Sequence, residues 1–366
     1  MGEIMKKRIV AFSLACAMLP LAGCSDVPVR VVEAPETVVA TEVFEDTKET
    51  QEAVSTTETV VAEVETTEEM QTESEQATEE PTEQETSATM EFLSLTEGEL
   101  EARRAQQANF AAARDSLYAA PNSKDKTEKI VQLDKQIIEN NAYAFFSKRV
   151  CFIGDSITEG ITAAVDAEGD RISYPEYAAD ALHIGTMLNH GLGGRSFANY
   201  GDDALSIVDN FGNVINNSAD IIVVFAGVND YLAEMENKRF GNIYNKDSTA
   251  GYCGAVRMFC KEIAANMPDC DVFFVLMYPI DRQTYAVCTD VETQPTLEDY
   301  MEVQRKLAEE YGFEVIDLYS QGFMDCTSQE SKDYYLRDGL HPKDNGNIAL
   351  GTHIAAELSL YYSQKE

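Results

Sequence analysis

The sequence contains no tryptophan, only four histidines and few basic residues. Lys and Arg together number 28 against 64 Asp and Glu, which gives a formal net charge of -36. A chain of this charge repels phosphate backbones, so nucleic-acid binding through a general basic surface is excluded. No apolar run reaches the ~20 residues that a membrane-spanning helix needs. The sequence also lacks a Cys-x-x-Cys pair, and its histidines are scattered, so we predict no metal site.

The acidic residues are concentrated in residues 25–96, which hold 20 of them against Arg30 and Lys48, a net charge of -18. The same segment has 18 Glu and 15 Thr in 72 residues and no Gly. Such a composition cannot bury enough apolar surface to offset the entropy of ordering the chain. We therefore predict that residues 25–96 form a disordered, extended acidic tether.

Residues 1–24 have the pattern of a targeting segment. Lys6, Lys7 and Arg8 precede a mostly apolar run of 14 residues, Ile9–Ala22, which is typical of a secretory signal. The following Gly23-Cys24 completes a Leu-Ala-Gly-Cys sequence that resembles the lipobox of bacterial lipoproteins, where cleavage leaves a lipid-modified cysteine. An ordinary signal or an uncleaved anchor, with an incidental cysteine, is the alternative. We expect a lipid anchor on Cys24 and a protein outside the cytoplasm, attached to the bacterial membrane and exposed at the cell surface.

Residues 97–148 read as an N-terminal helical extension. One helix is predicted over Gly98–Ala119, and a second runs from an N-cap at Ser123 to about Asn141. Both are expected to pack on the domain that follows. Six further cysteines lie beyond residue 97, and their pairing stays open because an exported protein can form disulfides. Cys151 lies in an apolar strand pattern and is predicted to be a buried thiol.

From residue 149 to the end, apolar strands alternate with amphipathic helices. The predicted strands are Val150–Ile153, Ile184–Leu188, Ile221–Ala226, Val272–Met277 and Phe313–Ile316. This alternation favours right-handed βαβ units. We therefore predict a three-layer α/β/α domain over residues 149–366, with a parallel five-stranded sheet. In such sheets the ligand site lies at the carboxyl ends of the strands.

Polar blocks lie at or near the ends of the first three predicted strands and close to the C-terminus. They are Gly154–Thr158, Asn189–Ser196, Gly227–Asp230 and Asp338–Pro342. In this order the four blocks resemble those of the SGNH (GDSL-type) hydrolase superfamily, over roughly residues 149–362. The resemblance implies the flavodoxin-like fold of that superfamily and an ester hydrolase without a metal or organic cofactor.

The resemblance also implies a role for each block. Ser156 would be the nucleophile, His341 its general base, and Asp338 the carboxylate that orients the imidazole. The N–H groups of Ser156 and Gly194 and the side chain of Asn229 would form the oxyanion hole. Because Gly193 precedes Gly194, which of the two N–H groups points inward stays open, and we take Gly194.

Several residues close to these blocks are given structural roles. Arg195 and Asp230 are expected to form a structural ion pair or to face solvent, and His190 to be a satisfied loop histidine. His183 and His353 lie in helical patterns and are predicted to be structural, without a partner.

The implied activity is an extracytoplasmic serine esterase that removes small acyl groups, O-acetyl above all, from carbohydrate. Aromatic residues after the third and fourth strands could stack on sugar rings or merely close the fold; they are Tyr231, Phe240, Tyr244, Tyr252 and Tyr285. The alternatives are a carbohydrate O-acetyltransferase with the same triad, a lysophospholipase or thioesterase, and a surface binding module without activity. The polar segment after Asn229 argues against a lipid substrate, and the complete set of expected catalytic residues argues against a binding module.

Overall fold

The computed structural model describes residues 83–212, 218–237, 240–246, 249–281 and 295–365. The predicted signal at 1–24 and the tether up to residue 82 lie outside the described residues. Within the described ranges, no helix is long and apolar enough to cross a membrane.

The core of the fold is a parallel sheet of five strands. In chain order the strands are β1 (Arg149–Gly154), β2 (Ala164–Val165), β3 (Arg171–Ile172), β4 (Thr186–Gly191), β5 (Ile221–Phe225), β6 (Asp271–Leu276) and β7 (Glu314–Asp317). The main sheet has the order β4-β1-β5-β6-β7, and β2 pairs with β3 in a separate antiparallel hairpin. Every residue of β5 is buried, as a central strand covered on both faces requires. The predicted parallel five-stranded sheet is confirmed.

Strand β4 lies further along the chain than its apolar pattern predicted. The prediction ended at Leu188, whereas Asn189, His190 and Gly191 pair in register with Phe152–Gly154 of β1. β4 is an edge strand whose side chains are at most half-buried, so polar residues are tolerated there. Part of the second polar block therefore belongs to the strand itself.

The helices account for most of the remaining described chain. They are α1 (Glu83–Leu93), α2 (Glu97–Tyr118), α3 (Lys124–Glu139), α4 (Ser156–Glu159), α5 (Tyr174–Leu182), α6 (Val228–Asn237), α7 (Gly251–Asn266), α8 (Leu297–Tyr311), α9 (Gln329–Tyr335) and α10 (Asp344–Lys365). Successive residues of a strand face opposite sides of its sheet. Phe273 of β6 contacts Tyr361 of α10 with ring centroids 5.0 Å apart, and Phe274 contacts Phe259 of α7 at 5.9 Å. Helices therefore cover both faces, which gives the predicted three layers.

The two helices predicted over residues 97–148 are present, and both pack on α10. Ser123 accepts a hydrogen bond from the backbone N–H of Lys126 and so begins α3, as its N-cap pattern predicted. His353 of α10 was expected to lack a partner, and this prediction is wrong. Its Nδ1 lies 2.7 Å from the Asp134 carboxylate of α3, and its Nε2 lies 2.9 Å from the Gln321 side-chain oxygen.

The C-terminal part of the predicted tether is a helix. Disorder was predicted up to residue 96, but residues 83–93 form α1, so from residue 83 onwards three helices and not two precede the sheet. The Phe92 ring packs edge to face against Phe146, with centroids 6.4 Å apart. Thr96 then begins α2 through reciprocal hydrogen bonds with Glu99. The acidic composition gave no sign of this contact between Phe92 and Phe146.

Candidate active site

Ser156 lies at the carboxyl end of β1, where the chain turns into α4. Asp155 caps this short helix, since its Oδ1 accepts the N–H of Ile157 at 2.9 Å. Gly154 must be glycine because a Cβ there would lie 2.0 Å from the Thr158 hydroxyl oxygen and 2.5 Å from the Phe225 carbonyl oxygen. This tight turn presents Ser156 at the edge of the sheet with 8% of its surface exposed.

Asp155 is an almost fully buried carboxyl group directly before Ser156. Burial raises the pKa of Asp155 to about 6, while the hydrogen bond from Ile157 and the positive charge available on His341 oppose that rise.

Ser156, His341 and Asp338 form a continuous hydrogen-bonded chain. The Ser156 Oγ lies 2.9 Å from Nε2 of His341, and Nδ1 of the same ring lies 2.7 Å from Oδ2 of Asp338. The other Asp338 oxygen accepts the backbone N–H groups of Leu340 and His341 at 3.0 and 2.8 Å. Partial burial works against the charge on Asp338, but these hydrogen bonds hold its pKa well below the ordinary value.

The loop that carries Asp338 and His341 is fixed by its neighbours. Gly339 adopts a φ of +88°, which favours glycine, and its carbonyl oxygen accepts the N–H of Asp281 at 2.9 Å. The N–H of Arg337 donates to the His341 carbonyl oxygen at 2.8 Å. The imidazole is therefore presented by a constrained turn.

The loop after β4 contains three successive backbone N–H groups, those of Gly193, Gly194 and Arg195. The N–H of Gly193 donates to the Glu159 carboxylate at 2.5 Å, and that of Arg195 donates to the Leu192 carbonyl oxygen at 3.0 Å. Between them the N–H of Gly194, at a φ of +81°, has no partner in the part of the chain that the structure describes. The geometry thus favours Gly194 over Gly193 as an inward-facing donor.

Asn229 follows β5 and extends towards the same loop. Its side-chain Nδ2 donates one hydrogen to the Arg195 carbonyl oxygen at 2.9 Å, which leaves the second hydrogen of the amide available. This bond fixes the amide relative to the loop that contains Gly194. The N–H of Ser156, at the first position of α4, likewise has no acceptor among the described residues.

The structural roles predicted for Arg195 and Asp230 are wrong. Both are buried, with 9% and 0% of their surfaces exposed, and no ion pair joins them in the described ranges. Asp230 instead accepts the N–H groups of Phe197 and Ala198 at 2.8 and 2.9 Å. In the turn after Gly194 the N–H groups of Phe197 and Ala198 have no backbone acceptors, and the Asp230 carboxylate accepts both of them. Burial raises the pKa of Asp230 to about 7 against these hydrogen bonds.

The aromatic residues considered for sugar stacking mostly close the fold. Tyr252 is fully buried, and its ring contacts Tyr300 with centroids 4.5 Å apart and Phe240 at 6.1 Å. Tyr231 is 9% exposed, whereas Tyr244 is 80% exposed. Tyr285 lies outside the described residues, as does Cys288.

Cys326 contacts the loop of Asp338 and His341, since its Sγ donates to the Gly339 carbonyl oxygen at 3.2 Å. His190 is in β4, where burial and the charge of Arg195 lower its pKa, and His183 ends α5. Cys151 is buried as predicted, and burial raises its pKa to about 12. Among the described residues no group of three His, Cys, Asp or Glu side chains is arranged to hold a metal ion.

This arrangement can activate a hydroxyl group and stabilise a developing oxyanion. The Ser156 Oγ has a base within hydrogen-bond distance, and the base has an ionised carboxylate behind it. The N–H groups of Ser156 and Gly194 and the second hydrogen of the Asn229 amide have no acceptor among the described residues, so they are candidate oxyanion donors. The sequence analysis missed Glu159, which joins α4 to the loop after β4. Its partner is 34 residues away, and no local pattern marks the pair.

Comparison with known proteins agrees with this geometry. The model of the GDSL-like lipase/acylhydrolase family matches residues 152–348, which is more than half of the chain. No curated protein matches the chain.

The likeness to solved structures covers somewhat more than half of this chain. One such chain is 26% identical with a TM-score of 0.50, and the match covers 59% of this protein and 98% of that chain. A protein from Lactobacillus plantarum is 23% identical with a TM-score of 0.49, and the match covers 58% of this protein and 96% of that one. A lipase/acylhydrolase from Enterococcus faecalis is 17% identical with a TM-score of 0.41, and the match covers 58% of this protein and 95% of that one. The last two likenesses concern the fold alone. Together with the family match, the site identifies the chain as a member of the GDSL-like lipase/acylhydrolase family of SGNH hydrolases, which hydrolyse ester bonds.

Proposed function

We propose that this protein is a serine esterase in which Ser156 is the nucleophile, His341 the general base and Asp338 the orienting carboxylate. The hydrogen-bonded chain from the Ser156 Oγ through the His341 ring to Asp338, at 2.9 and 2.7 Å, carries the proposal. The N–H groups of Ser156 and Gly194 and the side-chain amide of Asn229 stabilise the oxyanion.

The reaction proceeds in two steps of the same kind. The Ser156 Oγ attacks the ester carbonyl carbon while its proton moves to Nε2 of His341, and the alcohol leaves with that proton. The acyl group is then an ester of Ser156. Water attacks this ester, again giving a proton to His341, and the carboxylic acid leaves as Ser156 recovers its hydrogen. Asp338 stays ionised throughout and stabilises the imidazolium.

Small acyl groups on carbohydrate are the proposed substrates. Apolar atoms flank the oxyanion loop, since the Leu205 Cδ1 lies 3.4 Å from where a Cβ on Gly194 would stand and the Ile161 Cγ2 lies 3.8 Å from that on Gly193. These contacts favour a short acyl chain. The sequence after Asn229 is rich in polar and charged residues, which favours a hydroxylated alcohol over a lipid.

The proposal is tested with the purified full-length chain and p-nitrophenyl acetate. Wild type should release p-nitrophenol, and Ser156→Ala should reduce kcat by a factor on the order of 10⁴ or more, because the nucleophile is lost. Equal rates in the two proteins, or no activity in a folded wild type, would refute the serine mechanism. With acetylated xylose or glucosamine, free acetate is the expected product, and transfer of acetyl to a second sugar would refute hydrolysis as the main reaction.

We further propose that the protein acts outside the cytoplasm and is held at the bacterial membrane by lipid on Cys24. The support is the sequence alone: the basic residues before Ile9–Ala22 and the cysteine that ends the lipobox-like segment.

A further inference from the structure

Glu159 lies at the end of α4, three residues after Ser156, and faces the loop that follows β4. Its Oε2 accepts the N–H of Gly193 at 2.5 Å, and its Oε1 pairs with the guanidinium of Arg171 in β3. The Glu159 side chain is 30% exposed, so it is not part of the hydrophobic core.

The loop and α4 are in close contact along this whole edge. A Cβ on Gly191 would lie 2.1 Å from the Glu159 backbone nitrogen, and one on Gly193 would lie 3.0 Å from the Glu159 Oε2 and 3.9 Å from the Ser156 Cβ. The side-chain amide of Asn189 donates to the Thr158 carbonyl oxygen at 3.0 Å. The nucleophile and the end of β4 are thus held together through α4.

The bond from Gly193 to Glu159 determines how the next peptide is oriented. It fixes the plane of the peptide between residues 192 and 193. The bond from the Arg195 N–H to the Leu192 carbonyl oxygen, at 3.0 Å, fixes the plane between residues 194 and 195. The peptide between residues 193 and 194, which carries the N–H of Gly194, lies between these two fixed planes. Because each peptide unit is planar, its own orientation is restricted by theirs. Its N–H is left without a protein acceptor in the described part of the chain.

We infer that Glu159 is a positioning residue for the oxyanion hole, which holds the Gly194 N–H towards the reacting carbonyl through its bond to Gly193. Glu159 does not touch the substrate, and the inference rests on the proposed esterase function. Oxyanion stabilisation depends on donors that are already oriented before the charge develops. Losing the anchor therefore weakens transition-state binding more than substrate binding.

The test compares two substitutions of nearly equal size in the full-length chain. Glu159→Met removes the acceptor, whereas Glu159→Gln keeps an oxygen that can accept the Gly193 N–H. With p-nitrophenyl acetate we expect Glu159→Met to lower kcat roughly 10- to 100-fold, below the 10²–10³ that loss of a whole donor costs. KM should stay within about twofold, and Glu159→Gln should recover most of kcat. An equal loss of kcat in both variants, or a loss confined to KM, would overturn the inference.

Arg171→Met is the matched control, because it breaks the ion pair and leaves the Glu159 acceptor in place. We expect its kcat to stay within about threefold of wild type, since an exposed pair contributes little. A fall as large as that of Glu159→Met would assign the effect to the ion pair and overturn the inference.

Two further readouts keep the test independent of variant folding and of the proposed function. In wild type, amide hydrogen exchange of Gly193 should be slowed relative to an exposed peptide, and exchange at the exposed rate would contradict the Glu159 bond. A wild type inactive on every ester would refute the serine esterase. Normal activity in Glu159→Met beside an inactive Ser156→Ala would refute only the role of Glu159.

Discussion

Asp155 is a carboxyl group whose buried environment opposes its ionisation. Only 1% of its surface is exposed, and burial raises its pKa from the ordinary 3.8 to about 6. Below pH about 4 the carboxyl group is protonated in both the folded and the unfolded chain, so its raised pKa does not lower the free energy of unfolding. Between about pH 4 and 6 the unfolded chain loses this proton first, so the free energy of unfolding falls as the pH rises. Above pH about 6 the group is ionised in both states, and the loss of stability caused by its burial has reached its full value.

We therefore expect Asp155→Asn to stabilise the protein at neutral pH. Asn caps a helix as well as Asp and carries no charge to bury. The predicted gain is about 1–3 kcal/mol at pH about 7.5, because each pKa unit corresponds to about 1.4 kcal/mol, and it should vanish at pH about 4. Urea unfolding of wild type and Asp155→Asn at both pH values measures it. A variant less stable than wild type at pH 7.5, or a gain that is independent of pH, would contradict this explanation.

At the same scale, the sequence predicted the residues whose surroundings are local. Asp338 and His341 lie three residues apart in one turn, and Ser156 lies two residues after the end of β1, so short blocks of sequence carried the resemblance that implied their roles. Glu159 and Gly193 are 34 residues apart, and a pairing of that separation depends on how β4 and α4 meet. Burial of Asp230 was missed for a related reason, since the N–H groups that it accepts belong to a turn 32 and 33 residues earlier.

At the scale of elements, the helical extension is held to the α/β domain by buried charges. Asp134 of α3 is fully buried and faces His353 of α10 at 2.7 Å. Arg114 of α2 lies 2.9 Å from the Glu357 carboxylate of α10 and 3.8 Å from that of Asp134. Side chains of opposite polarity from α2, α3 and α10 therefore face one another across three helices. Residues 97–148 are an integral part of the domain and not an appended module.

Removing one member of this group should leave its partners buried and unpaired. We expect Asp134→Ala to lower the free energy of unfolding by about 3–5 kcal/mol, as for other broken buried pairs. The control is Asp125→Ala in the same helix, where Asp125 pairs with Lys129 at the surface with 72% of its side chain exposed. Its cost should be within about 0.5 kcal/mol. Denaturant unfolding of Asp134→Ala and Asp125→Ala measures the two losses of stability. Equal losses would show that the buried charged side chains do not hold the helical extension to the domain.

Element boundaries were predictable where apolar periodicity sets them and not elsewhere. α2, α3 and the central strands agree with their patterns to within a few residues. The predicted bounds of β4 were displaced because an edge strand tolerates polar residues. The helix α1 was missed because its composition is acidic and its contact of Phe92 with Phe146 joins residues 54 positions apart.

At the scale of the whole molecule, the chain combines an acidic N-terminal segment with the catalytic domain. The proposed lipid on Cys24 predicts that the full-length chain, expressed in a bacterium, is recovered in the membrane fraction. Cys24→Ala should shift it to the soluble extracytoplasmic fraction or leave the signal uncleaved, because the lipid attachment site is lost. Fractionation with mass spectrometry of the N-terminal peptide checks this. An unmodified Cys24 in a membrane-bound wild type would contradict the proposal.

The central claim, that Ser156 carries the acyl group, is tested most directly by trapping the intermediate. The full-length protein is mixed with excess p-nitrophenyl acetate, quenched in acid within the first turnover, digested and analysed by mass spectrometry. The peptide that contains Ser156 should gain the mass of one acetyl group in wild type, and not in Ser156→Ala. Hydrolysis that proceeds with an acetyl group on another residue, or with equal labelling in Ser156→Ala, would contradict the mechanism.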